Sequence, residues 1–232
     1  MRHWRAMDMI ERPSPNFDER AQPISMIVLH YTGMPTCEGA LERLTSPEAK
    51  VSAHYCIDED GTLYRLVDEA KRAWHAGKSR WRNLSDVNSA SIGIEIVNPG
   101  HEFGYRAFPD AQIGTLLPLV AEIKDRHAIG RGNIVGHSDV APARKEDPGE
   151  LFPWWELARR RLALPSPSRD LIDPLWSDSG FLLALERFGY DVTDERAAVV
   201  AFQRRFRPDM IDGIIDGECR AKLLALLLPR PQ

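Results

Sequence analysis

Gly136-His137-Ser138-Asp139, followed by Arg144-Lys145-Glu146-Asp147-Pro148-Gly149 and then Phe152-Pro153-Trp154, is the stretch on which the reading of this chain turns. It places an imidazole, an ammonium and a carboxylate on one loop stiffened by proline and glycine, directly after the short apolar run Ile134-Val135. That run reads as a strand over 133–136, so His137 ends a strand. Far upstream, Met26-Ile27-Val28-Leu29 is a second apolar run, and it ends in His30. Two strand-end histidines and a carboxylate held before a Pro-Gly turn can make a three-ligand zinc site with a fourth position left for water. The plainer alternative is a pair of structural histidines and a solvated acid. Spacing alone leaves both open.

Working outward, residues 24–32 are rich in strand formers and read as a buried strand. Residues 38–44 suggest a short helix. Runs at 52–57 and 62–66 flank Asp58-Glu59-Asp60-Gly61, a hairpin signal. Residues 91–97 alternate around Ile92, Ile94 and Ile96 and read as a central strand, with Glu95 on the side opposite the isoleucines. Ile113, Leu116, Leu117, Val120, Ile123 and Ile129 form a helical stripe over 110–127, and a helix with proline in its first turn is expected over 153–162. This is an α/β pattern: a mixed central β-sheet flanked by helices. At Pro165-Ser166-Pro167-Ser168 the pattern breaks as a linker does, and three helices follow at 179–188, 194–206 and 217–228, with Asp194 as an N-cap. The expected organisation is an N-terminal arm at 1–23, a catalytic domain at 24–164, a linker at 165–175 and a small all-α three-helix domain at 176–232.

Composition narrows the function. With 232 residues, 43% hydrophobic and 28% charged, the chain reads as an ordinary soluble globular protein. A net charge of -4 argues against nucleic acid as a partner. The short clusters Arg159-Arg160-Arg161 and Arg204-Arg205 fall near expected helix ends, where cations complement the helix dipole. No run approaches the roughly 20 apolar residues of a membrane span. Cys37, Cys56 and Cys219 are odd in number and lack metal-knuckle spacing, so a disulfide framework is not expected and a reducing compartment fits. The polar start, residues 1–8, has no apolar core of a signal peptide. A cytoplasmic enzyme is therefore expected, with a periplasmic one as the alternative. Nothing in the sequence speaks to oligomeric state.

An acid such as Glu95 in an apolar strand is either on a solvated face or a working carboxylate in a cleft. In the second case it takes a proton from water and passes it to a leaving amine, with burial raising its pKa into the useful range. Lys145 lies two residues before Asp147, and in a loop of extended character residues so spaced can project the same way, where an ammonium could stabilise an oxyanion; the alternative is a surface lysine. His54, in an apolar context, reads as a core histidine.

Leu29-His30-Tyr31-Thr32, Val51-Ser52-Ala53-His54-Tyr55, Ala73-Trp74-His75-Ala76-Gly77, Ser91-Ile92-Gly93-Ile94-Glu95 and the 136–149 stretch occur in this order. Together they resemble the zinc-dependent N-acetylmuramoyl-L-alanine amidases that share a fold with peptidoglycan recognition proteins and phage T7 lysozyme. The resemblance covers about 24–162. It implies His30, His137 and Asp147 as ligands of Zn2+, Glu95 as the catalytic acid/base and Lys145 as the oxyanion partner. It implies a surface groove with Tyr31, Trp74 and His75 as substrate contacts; core packing for Trp74 and a structural hydrogen bond for His75 are the alternatives. The implied substrate is peptidoglycan or a muropeptide, cut between N-acetylmuramic acid, or its 1,6-anhydro form, and L-alanine. A non-catalytic peptidoglycan receptor and a zinc stem-peptide endopeptidase are the rival readings. In the tail, Tyr190-Asp191-Val192, the run 200–206 and Asp212-Gly213-Ile214-Ile215-Asp216 resemble a small helical peptidoglycan-binding domain, against a helical appendage that only packs. The two-domain arrangement most resembles AmiD-type amidases, which carry a lipoprotein signal that is not read here.

Overall fold

The computed structural model describes residues 9–168 and 171–228; the first eight residues, two of the expected linker and the last four of the tail lie outside them. In chain order the elements are β1 (Met9–Glu11), β2 (Phe17–Glu19), β3 (Met26–Tyr31), α1 (Cys37–Thr45), β4 (Tyr55–Ile57), β5 (Leu63–Arg65), β6 (Lys71–Ala73), α2 (Val87–Ala90), β7 (Ser91–Ile96), α3 (Gly100–Phe103), α4 (Asp110–Arg126), β8 (Ile134–Gly136), α5 (His137–Val140), α6 (Trp154–Arg159), α7 (Asp178–Phe188), α8 (Glu195–Phe206) and α9 (Gly217–Leu227).

The main sheet runs β1-β5-β4-β7-β3-β8. Its centre is parallel: β3 pairs with β7 and β8, and β4 with β7. The β4–β5 hairpin is antiparallel, which makes the sheet mixed. Central parallel strands are covered on both faces and so read as near-continuous apolar runs, as β3 and β7 do. Period-two alternation still sorts their side chains. Ile27, Leu29, Ile92, Ile94 and Ile96 pack with Leu116, Val120 and Ile123 of α4 and Leu157 of α6. Met26 and Val28 point the other way, into a second cluster with Val135, Val140 and Trp81.

That second cluster contains the helical module. Phe181, Leu185, Phe188, Tyr190, Phe202 and Phe206 are buried in the same continuous core as Met26 and Val28. The irregular stretch after Ala163 falls where a linker was expected, yet the apolar core does not divide there. The molecule is three-layered through its centre: α4 and α6, then the sheet, then α7–α9. Within the module Ser177, Asp194 and Asp216 cap the three helices, each side chain accepting from the backbone amide three residues on.

The expected N-terminal arm is extended where it is described, but it is not free. β1 lies parallel to β5 and extends the sheet, and β2 pairs antiparallel with β6. Arg20 clamps it: its guanidinium donates to the carbonyls of Glu69, Asn88, Ser89 and Ser91. Strands of three residues show no measurable alternation, so pairing partners rather than local pattern decide these elements.

Candidate metal centre and groove

The parallel register builds the site. His30 on β3 lies opposite Glu95 on β7, and Leu29 lies opposite Gly136, so His137 begins one residue beyond the last pair. All three residues thus gather at the carboxyl ends of adjacent parallel strands, where α/β sheets leave a crevice. Asp147 is returned to this edge by its loop, whose backbone is tied to the turn by Ser138 N donating to Asp147 O at 2.9 Å. Tyr105 braces the far side of the loop, donating to the Pro148 carbonyl at 2.8 Å.

His30 Nδ1 and His137 Nδ1 are 2.9 Å apart, and each is 3.0 Å from Asp147 Oδ2. The three residues are 2%, 3% and 5% exposed, so water does not separate these atoms. The hydrogen-bond chain behind them assigns the protons. Ser91 Oγ donates its only hydrogen to the Val87 carbonyl at 2.5 Å, so toward His75 Nε2, 3.2 Å away, it accepts. His75 Nδ1 is then an acceptor and takes the proton of His30 Nε2 at 3.1 Å. His30 Nδ1 is left bare. His137 Nε2 donates to the Ala76 carbonyl at 3.1 Å, which leaves its Nδ1 bare as well. Burial, reinforced by His137, pushes the His30 imidazole down to about 4, so it is neutral near pH 7. Two bare nitrogens and a carboxylate oxygen, packed at contact distance without a shared proton, repel one another unless a cation sits among them. This donor set fits a metal ion held by three protein ligands.

Packing behind the site is tight at Gly93. A Cβ there would lie 2.4 Å from His75 Cγ, so the imidazole rests directly on the β7 backbone. His75 also borders the groove, but both its nitrogens are engaged with His30 and Ser91. Trp74 borders the groove too, and its indole N–H donates to Asp18 at 2.7 Å. The Tyr31 hydroxyl meets His101 Nδ1 at 2.9 Å, and burial raises that phenol to about 12. Glu95 has its Oε2 sealed from solvent with no hydrogen-bond partner. Burial, then the Asp147 charge, push its carboxyl well above the ordinary range, while Lys145 opposes them. Lys145 borders the same groove, and no hydrogen bond or ion pair engages its ammonium among the described residues. His54 and His127 lie apart from the donor set. His54 is fully buried and accepts from Gly93 N at 2.9 Å, and His127 meets Glu69 at 2.6 Å.

The donor set, Glu95, Lys145, Tyr31, Trp74 and His75 line one cavity of about 960 Å³. Its other wall is α8, which contributes Ala197, Val200 and Arg204 at helical spacing. Arg204 and Arg205 lie in the last turn of α8, as expected of cations at a helix end, and are engaged in ion pairs as well. Arg204 is nearly buried, 3.7 Å from Glu146 and 3.6 Å from Glu150, and Arg205 reaches 3.8 Å from buried Asp139. Sequence reasoning missed this wall, because such a helix stripe looks the same whether it faces its own module or a groove. It also missed Asp139 and Tyr190, whose hydroxyl donates to Asp139 at 2.5 Å. The only local hint was an acid at the third position of the turn after Gly136.

A three-donor cluster beside a half-buried carboxylate that lines the same groove is the arrangement of a metal-dependent hydrolase. The family model described as N-acetylmuramoyl-L-alanine amidase (Amidase_2) matches residues 20–150, and the chain belongs to that family. It is 34% identical to the N-acetylmuramoyl-L-alanine amidase AmiD of Escherichia coli over 94% of this chain and 90% of AmiD. The solved complex of E. coli AmiD with anhydro-N-acetylmuramic acid-L-Ala-D-gamma-Glu-L-Lys superposes with a TM-score of 0.79 at 33% identity, covering 97% of this chain and 92% of that one. AmpDh3 of Pseudomonas aeruginosa, solved with an anhydromuramic pentapeptide, gives 0.81 at 31% identity, covering 97% and 95%. The 1,6-anhydro-N-acetylmuramyl-L-alanine amidase AmpD of Haemophilus influenzae is 35% identical, but over 61% of this chain and 85% of its own length.

Proposed function

We propose that this amidase cleaves the amide between the lactyl group of N-acetylmuramic acid, or its 1,6-anhydro form, and L-alanine, with Zn2+ held by His30, His137 and Asp147 and with Glu95 as acid and base. The observation that carries the proposal is the convergence of two bare imidazole nitrogens and the Asp147 carboxylate beside Glu95, which lines the same groove and has one oxygen shielded from solvent. A bound zinc ion supplies Lewis-acid polarisation of a carbonyl and acidifies water. Glu95, its pKa raised by burial, accepts a proton from the attacking water and delivers it to the departing alanine nitrogen. The Lys145 ammonium faces the groove and donates to the carbonyl oxygen as negative charge develops there. Tyr31 and Trp74 border the groove as substrate contacts, while His75 keeps the His30 tautomer.

The anhydromuramyl peptides bound by AmiD and AmpDh3 support a muropeptide as the substrate class. Product masses from digests of intact sacculi and of isolated 1,6-anhydro-muropeptides test the bond and the substrate together. Release of the intact stem peptide with free L-alanine amine supports the reading; a cut within the stem would replace it with an endopeptidase. Three unpaired thiols support the further proposal of a reducing, cytoplasmic location. Recovery of the chromosomal protein with periplasmic markers would overturn that.

A further inference from the structure

The Asp139 carboxylate has no part in the chemistry above, yet it is 1% exposed and only two residues from His137. Its Oδ2 accepts from Gly136 N at 2.7 Å, which fixes the turn that carries His137 off the end of β8. Its Oδ1 accepts from the Tyr190 hydroxyl at 2.5 Å. The Arg205 guanidinium lies 3.8 Å from Oδ2, over the Trp154 ring, and donates to the Ile134 carbonyl of β8 at 3.2 Å. Tyr190 and Arg205 both belong to the helical module.

A buried carboxylate keeps its place only when donors and a counter-charge hold it. Two of the groups that hold Asp139 arrive with the module. The turn it pins is the one whose Ser138 amide holds the Asp147 backbone, so two of the three donor residues depend on it. We propose that Tyr190 and Arg205 are positioning residues: through Asp139 the helical module holds the His137–Asp147 loop in metal-binding geometry, and so forms part of the metal centre. This rests on the reading of His30, His137 and Asp147 as zinc ligands.

The test uses the full chain loaded with zinc. Tyr190→Phe removes one hydroxyl and keeps the ring contacts with Trp81, Phe188 and Phe202. Arg205→Met keeps length and loses the charge. Leu223→Ala, in the interior of α9 and outside this hydrogen-bonded set, is the packing control. The first two variants should release zinc to a chelator about ten-fold faster than wild type, the lower end for groups that orient metal ligands. Their kcat on a small anhydro-muropeptide should fall with KM little changed. Leu223→Ala should melt earlier yet release zinc at the wild-type rate. Wild-type zinc release by Tyr190→Phe would overturn the proposal, as would equal acceleration by Leu223→Ala. A wild-type chain that binds no zinc at all would instead bring down the metal reading, and this inference with it.

Discussion

Toward α4, strands β3 and β7 present Ile27, Leu29, Ile92, Ile94 and Ile96; toward the helical module the same strands present Met26, Val28 and His30, then Ser91, Gly93 and Glu95. The first face is apolar up to Tyr31 at its carboxyl end and gains from shape and area alone. The second mixes apolar anchors with an imidazole, a hydroxyl, a bare backbone and an acid, each needing a particular neighbour. A one-residue slip of β7 against β3 would exchange the two faces and separate His30 from Glu95. The isoleucine layer therefore sets the register on which the chemistry depends, without taking part in it.

Substitutions on the two faces should differ in kind. The largest effect is expected from His137→Ala: hydrolysis is lost and bound zinc falls from one equivalent to none while the far-UV circular dichroism keeps its native shape. Stoichiometric zinc in that variant would remove His137 from the ligand set. Glu95→Gln should keep its zinc and lose turnover by ~10²–10⁴-fold, the usual worth of an acid/base step. Near-native turnover would return Glu95 to the role of a tolerated strand acid. On the opposite face, Ile94→Ala should cost about 2–5 kcal/mol in urea denaturation through the cavity it leaves, with the folded fraction still holding zinc. If zinc affinity drops there before stability does, the division of labour between the faces is wrong.

The smallest effect should come from the polar clamp at the end of α4. Glu69 accepts from Tyr55, Arg126 and His127 at 2.7, 2.8 and 2.6 Å. Burial would raise its carboxyl, but these hydrogen bonds outweigh burial and lower it to about 2. A depressed folded pKa means stability that is present above the unfolded pKa and is lost as pH falls. Melting temperature should thus decline from pH about 4.5 toward 2, and Glu69→Gln should flatten that decline. Parallel acid profiles for the two proteins would show that the clamp contributes nothing.

Much of this arrangement was legible in the residues. The apolar runs before His30 and His137 located β3 and β8, although β3 continues to Tyr31 and His137 opens α5; Asp58-Glu59-Asp60-Gly61 located the hairpin, and the isoleucine period put Glu95 on the other side of β7. What could not be read travels through space. The proton chain from Val87 through Ser91 and His75 to His30 joins separate elements, so no local pattern announces it. The docking of the module was hidden for a similar reason. Phe202 and Phe206 look like the inside of a three-helix bundle, and nothing in their spacing says that Met26 and Val28 complete that interior. Arg205 looked like an ordinary helix-end cation, because only the fold brings Asp139 to it.

Gly93 has no side chain, touches no substrate and would bind no ion, yet any replacement would put a carbon where the His75 ring rests. The ring would be driven toward His30, and the disturbance would reach the donor cluster through a single hydrogen bond. In a saturation scan of this chain, position 93 should therefore rank with His30 and Glu95 in loss of activity, and even alanine, the mildest change available, should be rejected. Intolerance at a residue without functional groups would report how little slack lies between the sheet and the imidazole.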